Sequence, residues 1–185
     1  SEKPVLFVIN GLDHEKSNFD KSFEMMKERL TNNAVLIQFP VNEGTGFNSV
    51  IDVLRMKMLR YGKEGGKAEE VDIPAEYAAR AEELHGTLVE KAAESNEALM
   101  EAFFSNDTLT EDEIRKGIAK GIAARSLNPV FCISAKNNMG VDRLLNFIVN
   151  EAPSITDMPH IKNDKGNEIL PDTAGPSSVF VFKSA

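Results

Sequence analysis

Two short motifs set chemistry-bearing residues directly after apolar runs. Asn10-Gly11-Leu12-Asp13 follows Val5-Leu6-Phe7-Val8-Ile9, and Ser134-Ala135-Lys136 follows Val130-Phe131-Cys132-Ile133. A carboxylate only accepts hydrogen bonds and has two oxygens, so Asp13 can take both the N1–H and the exocyclic N–H of a guanine ring. Adenine presents an acceptor at N1. By analogy with bidentate base readout, such a pair supplies about 1–3 kcal/mol of discrimination. A backbone N–H of the second motif can donate to guanine O6, with the Lys136 stem covering a ring face. Asn-Gly is also a preferred turn dipeptide, so Asn10-Gly11 has a plain reading as a turn after a core strand.

The elements that must position these motifs are two βα units. Val5 to Ile9 is continuously apolar, rich in β-branched residues and bounded by Pro4 and Asn10-Gly11, which predicts a strand buried on both faces of a parallel sheet. The helix after it carries the stripe Phe19, Phe23, Met26 and Leu30, with Ser17 and Asp20 in a capping-box pattern. The second unit runs from Val130 to Ile133 through a loop ending at Gly140. Its helix has Val141, Leu144, Leu145, Ile148, Val149 and Ala152 on one apolar face and Pro153 as its stop. Both loops leave the carboxyl ends of their strands, where open α/β sheets bind ligands.

Between the units lies an insert of mixed α and β character. Residues 34–39 and 47–61 read as extended, although periodicity over Val50 to Leu59 also permits a helix. Pro74 opens a helix to residue 94 on the stripe Tyr77, Ala81, Leu84, Leu88 and Ala92. A shorter helix spans Glu97 to Phe104. Another starts at the capping box Thr110 to Glu113 and carries Ile114, Ile118 and Ile122, with Gly117 and Gly121 weakening it or permitting close packing. Residues 153–178 are rich in Pro, Gly, Asp and Asn and read as a linker, followed by an apolar strand from Val179. Beginning at a core strand without an initiator Met, the sequence reads as an internal fragment of a larger protein.

The net charge of −8 is unevenly placed: residues 69–113 hold fourteen acidic residues against Arg80 and Lys91, a local −12, leaving +4 elsewhere. Such a stretch repels a phosphate backbone, so no direct DNA binding is expected, and attracts a basic protein surface. A merely solvated helix face is the plain alternative. Glu82, Glu83 and Glu90 are the candidate partner-binding residues. No apolar run approaches a membrane span, and Ser-Glu-Lys-Pro at the start has no signal-peptide pattern, so a cytoplasmic protein is expected. Cys132 is the sole cysteine and reads as a buried core thiol. His14, His85 and His160 are too scattered to suggest a metal site, and no catalytic or metal-ligating residues are assigned. Met25, Met26, Met56, Met58 and Met100 read as core filler.

No Gly-x-x-x-x-Gly-Lys-Ser/Thr occurs. Gly62-Lys63-Glu64-Gly65-Gly66-Lys67-Ala68 looks like one, but its glycines are one residue too close and Ala68 has no hydroxyl for magnesium, so it reads as a flexible turn.

Asn-x-x-Asp after a buried strand, then Ser-Ala-Lys after a later one, resemble the two base-recognition elements of GTP-binding proteins. Their order and the sequence between them resemble elongation factor G, the translational GTPase of ribosomal translocation. The likeness runs through Phe19 to Leu30, Asn33 to Gln38, Gly46 to Lys57, Glu97 to Glu101, Leu109 to Ile114 and Pro129 to Ala135. It implies an α/β fold: the last two βα units of a P-loop GTPase-like parallel sheet with an α+β insert subdomain. The implied divisions are 1–33 for the first base-recognition unit, 34–126 for the insert and 127–157 for the second unit. Residues 158–185 would then be a linker and, with Val179 to Lys183, the opening strand of a β-barrel.

By the same resemblance Asn10 braces the base loop, Asp13 reads guanine N1 and N2, and Ser134, Ala135 and Lys136 form the second base loop. The insert faces the ribosomal stalk protein. The intact parent would bind GTP or GDP with magnesium through a phosphate loop upstream of Ser1. The fragment itself is expected to hold no nucleotide tightly and to hydrolyse none. The family pattern is Asn-Lys-x-Asp, and Gly11 replaces its Lys. A different reading is therefore a ribosome-directed interaction module whose nucleotide site has decayed. Half a parallel sheet also leaves an open edge, so self-association is expected.

Overall fold

The computed structural model describes residues 3–157, 161–170, 172, 174 and 175. Among them lie five α-helices and nine strands, divided between a unit reaching Ala152 and a smaller one from Pro153.

In the first unit, β1 (Phe7–Asn10) and β2 (Ala34–Leu36) flank β7 (Asn128–Ile133), both parallel to it. The central strand is buried along its whole length, which suits its Pro-Val-Phe-Cys-Ile run. The outer strand departs from expectation. Among the described residues β1 pairs only with β7, its burial alternates, and Val5 and Val8 are 37 % and 38 % exposed, because an edge strand is covered on fewer sides than a central one.

After β2 the chain stays extended but changes sheets. The Ile37 N–H donates to Val130 O at 3.0 Å while its carbonyl accepts from Val53 N at 2.9 Å. β3 (Gln38–Pro40) then starts an antiparallel sheet with β4 (Ser49–Asp52), β5 (Lys57–Arg60) and β6 (Glu69–Val71), in that order. The segment 47–61 is thus a hairpin, and the helical alternative over Val50 to Leu59 does not occur: Asp52 Oδ1 accepts from Leu54 N and Arg55 N and closes a turn there.

α1 (Phe19–Arg29) buries Phe19 and Met26, while Leu30 is exposed beyond its end. Its cap is Asn18 rather than Ser17: Asn18 Oδ1 accepts from Lys21 N at 2.8 Å, and the Ser17 hydroxyl donates to Leu12 O at 3.2 Å. α2 (Ala75–Ala93) packs on α3 (Glu97–Asn106) and α4 (Glu111–Ala124). The Thr110 to Glu113 capping box is present, and Gly117 allows the closest approach, since a Cβ there would stand 2.5 Å from Ala92 O. Of the methionines read as core filler, Met26 is buried and Met56, Met58 and Met100 are half-buried against the core, while Met25 is exposed.

α5 (Val141–Asn150) also departs from its pattern. It buries Arg143 and Phe147, the latter edge-on to Phe131 with centroids 4.9 Å apart, whereas Leu145 and Val149 are 57 % and 80 % exposed. Burying an apolar side chain of this size contributes about 1.5–3 kcal/mol, so Phe147 anchors the helix and the longer apolar face does not. Arg143 ion-pairs with buried Asp52 and lies 3.6 Å from Glu151. Burial pushes the Glu151 carboxyl up, opposed by the charges of Arg143, Arg115 and Arg55.

The second unit, read as a linker from sequence, contains a short hairpin of β8 (Ile161–Lys162) and β9 (Glu168–Ile169), its turn held by Asn163 Oδ1 accepting from Lys165 N and Asn167 N. The expected strand from Val179 to Lys183, and His160, lie outside the described residues. Among the described residues no helix is long and apolar enough to cross a membrane.

Candidate functional site

Adjacent parallel strands bring their carboxyl ends together, and the register of β1 with β7 pairs Asn10 with Ile133. The two motifs therefore leave the sheet side by side. Asn10 Oδ1 accepts from Ala135 N at 2.9 Å, and the Ser134 hydroxyl donates to Asp13 Oδ1 at 2.7 Å. Asn10, Asp13, Ser134 and Ala135 form one constellation across the loops.

Leu12 was not expected to matter and shapes the first loop. It is the apolar residue in an otherwise polar stretch, and its side chain is buried. Its N–H reaches Ile133 O at 3.4 Å and its carbonyl accepts from Gly44 N at 2.8 Å and from the Ser17 hydroxyl. With Leu12 turned inward, Asp13 next to it stands half-buried beside Ser134. Gly11 makes the turn at φ +84°, a left-handed conformation that costs a side-chain-bearing residue steric strain. A Cβ at Gly11 would meet nothing within 4 Å, so backbone strain rather than crowding sets the preference for glycine here.

The second loop is a tight hairpin. Ser134 and Met139 exchange backbone hydrogen bonds of 3.0 Å in both directions, and Asn138 adopts φ +51°. Ser134 is fully buried, and its Oγ also accepts from Asn137 N at 3.1 Å, so Asn137 is a further residue that orients the hydroxyl toward Asp13. Ala135 and Lys136 are exposed.

The hydrogen bond from Ser134 is the main reason the Asp13 carboxyl is held below its ordinary value of 3.8; burial opposes it, and its own backbone N–H, Lys136 and His14 assist. Asp13 is therefore an anion at neutral pH. Ser134 occupies one of the roughly four lone-pair sites of that carboxylate, which leaves capacity for two N–H donors. A planar group with adjacent donors, such as a guanine edge, matches that capacity.

Glu82, Glu83 and Glu90 lie on α2, Glu82, Glu83 and Glu90 each being outside its buried set of Ala81, Leu88, Val89, Ala92 and Ala93. Cys132 is fully buried in β7, and burial pushes its thiol well above the ordinary range, consistent with a core role. The glycine-rich segment from Gly62 joins β5 to β6, two antiparallel strands; a phosphate cradle of the expected kind links a strand to a helix.

No family model matches the sequence. The fold is similar to the crystal structure of ttk003000868 from Thermus thermophilus, with a TM-score of 0.73 and 25 % identity over 83 % of this chain. The chain spans 23 % of that protein's length.

Proposed function

We propose that this chain carries the guanine-recognition part of a translational GTPase related to elongation factor G, with its sheet as part of a P-loop GTPase-like domain. The observation that carries the reading is the double tie between the loops, Asn10 to Ala135 and Ser134 to Asp13, which fixes an anionic carboxylate with spare acceptor sites at the carboxyl ends of two parallel strands. In this reading Asp13 accepts from guanine N1–H and N2–H, Ala135 and its neighbours supply the O6 side, and the Lys136 stem lies along the ring.

The residues present fit the base of GTP or GDP and not its phosphates or magnesium. The glycine-rich loop has neither the spacing nor the hydroxyl, and its Gly66 N–H is already engaged by Asn138 O at 2.7 Å. Phosphate and magnesium binding are therefore assigned to other parts of the parent, and this chain alone is expected to bind nucleotide weakly and to hydrolyse none. The parent would act on the ribosome in the cytoplasm, during translocation in protein synthesis.

The test is titration of the chain with GMP and with AMP, followed by amide NMR. GMP is expected to shift the amides of Asp13, Ser134 and Ala135, and AMP to leave them in place. Equal responses to the two nucleotides, or none, remove the guanine reading.

A second reading, a ribosome-directed interaction module with a decayed nucleotide site, is favoured by Gly11 in its left-handed turn and by the acidic Glu82, Glu83 and Glu90 on α2. It predicts that reversing those three charges weakens binding to a ribosomal stalk protein, with the loss shrinking as salt rises. Unchanged binding would make that face a solvated surface only.

A further inference from the structure

The glycine-rich loop between β5 and β6 comes to rest on the second base loop. Gly65 sits at φ +63°, and a Cβ there would stand 1.9 Å from Asn137 O and 2.6 Å from Asn138 O, closer than any side chain permits. Gly66 N donates to Asn138 O at 2.7 Å. Both ends of the loop are fastened to one residue in the first turn of α5. Tyr61 OH donates to Asp142 Oδ1 at 2.8 Å, and Ala68 N donates to Asp142 Oδ2 at 3.2 Å.

We infer that Gly65 is a positioning residue for guanine recognition, and that the insert's β5–β6 loop sets the geometry of the Ser134 loop. The inference rests on the guanine reading above. The mechanical path is short. Gly65 and Gly66 hold the peptide groups of Asn137 and Asn138; Asn137 N–H fixes the Ser134 Oγ; and Ser134 O–H fixes Asp13. A side chain at position 65 pushes the Asn137 carbonyl away, and its N–H moves with the same loop. Gly62 shows that the close approach is specific to Gly65. It lies in the same loop, and a Cβ on it would meet nothing within 4 Å.

The path also explains why Asp142 is placed where it is. Burial and the neighbouring Asp142 charge push the Tyr61 phenol far up, so it remains a hydrogen-bond donor throughout the ordinary pH range. The loop is therefore held at both ends by the helix that the base loop runs into.

The experiment compares Gly65→Ala, Gly65→Asn, Tyr61→Phe and the control Gly62→Ala with the unaltered chain. Asn tolerates the left-handed conformation, so Gly65→Asn retains the crowding while easing the backbone strain. Tyr61→Phe removes one hydroxyl and keeps the ring buried, which preserves a folded protein should the Gly65 variants melt. Two quantities are read: hydrogen exchange at the Asn137 and Ala135 amides, and the ratio of GMP to AMP affinity. Gly65→Ala, Gly65→Asn and Tyr61→Phe are expected to speed exchange and lower the ratio by about fivefold, the low end of the discrimination that one bidentate base contact supplies, with Gly62→Ala unchanged. If all three match Gly62→Ala in both quantities, the positioning role is overturned. If the unaltered chain shows no GMP preference, the guanine reading falls instead, and amide exchange still decides whether the loop holds Ser134 and Asn137.

Discussion

Ser134 and Asp13, 121 residues apart in sequence, meet in a 2.7 Å hydrogen bond from hydroxyl to carboxylate. The serine is fully buried and already oriented by Asn137 N, so the bond fixes the aspartate rather than the reverse. That direction of constraint gives the first prediction.

Asp13→Asn exchanges one carboxylate acceptor for an amide donor while keeping the shape. The variant should lose guanine affinity by about tenfold to a hundredfold, the range for one bidentate pair. It should gain affinity for xanthine, which offers a carbonyl where guanine has its amino group. Titration with GMP and xanthosine monophosphate reads both changes, and retained GMP affinity would place the recognition elsewhere.

Because the Asp13 carboxyl is lowered chiefly by Ser134, its stabilising contribution is present above the unfolded value and is lost as pH falls through the folded one, below 3.8. Ser134→Ala should move the carboxyl titration upward toward the unfolded value, so that the pH-dependent contribution shrinks. Carbon NMR of the Asp13 carboxyl in the two proteins measures this. An unmoved titration would mean the serine is not the main cause.

Placing a lysine at position 11 should not be free of cost. At φ +84° a Gly11→Lys variant has room for the side chain but an unfavourable backbone, and should be less stable by about 1–2 kcal/mol. Chemical denaturation provides the measure. An unchanged midpoint would show that the turn relaxes to a negative φ without penalty.

The buried Asp52–Arg143 pair joins the antiparallel sheet to α5. Asp52→Ala should cost about 3–5 kcal/mol, because it strands a buried guanidinium and also removes the acceptor of Leu54 N and Arg55 N. Asp52→Asn, which keeps an acceptor for Leu54 N and Arg55 N, should cost less than Asp52→Ala. Urea unfolding of the two variants separates the lost charge from the lost acceptor.

Val5 and Val8 on the open edge of the parallel sheet, with Leu145, Ile148 and Val149 on α5, leave large apolar side chains exposed. Self-association at high concentration is expected from such an edge and helix face. Val8→Lys with Val149→Lys should reduce it in light scattering. A clean monomer before substitution would refute the expectation.

What the sequence determined by itself was local. The apolar run before Asn10 and the one before Ser134 identified two strands with loops at their ends, and Thr110 with Glu113 identified a helix start, because strand periodicity and caps depend on neighbours a few residues away. The choice of Asn18 over Ser17 as a cap was already beyond reach, since Leu12 O draws the Ser17 hydroxyl away from the helix. Only the tertiary structure decided that β1 is an edge strand and that α5 buries Arg143 and Phe147 while much of its apolar face stays exposed, since burial depends on which elements surround each face. It also decided that Asp13 meets Ser134 and that Gly65 presses on Asn137, contacts between residues dozens of positions apart. Those contacts follow from a parallel register and a change of sheets at Ile37, and no local pattern of residues encodes either.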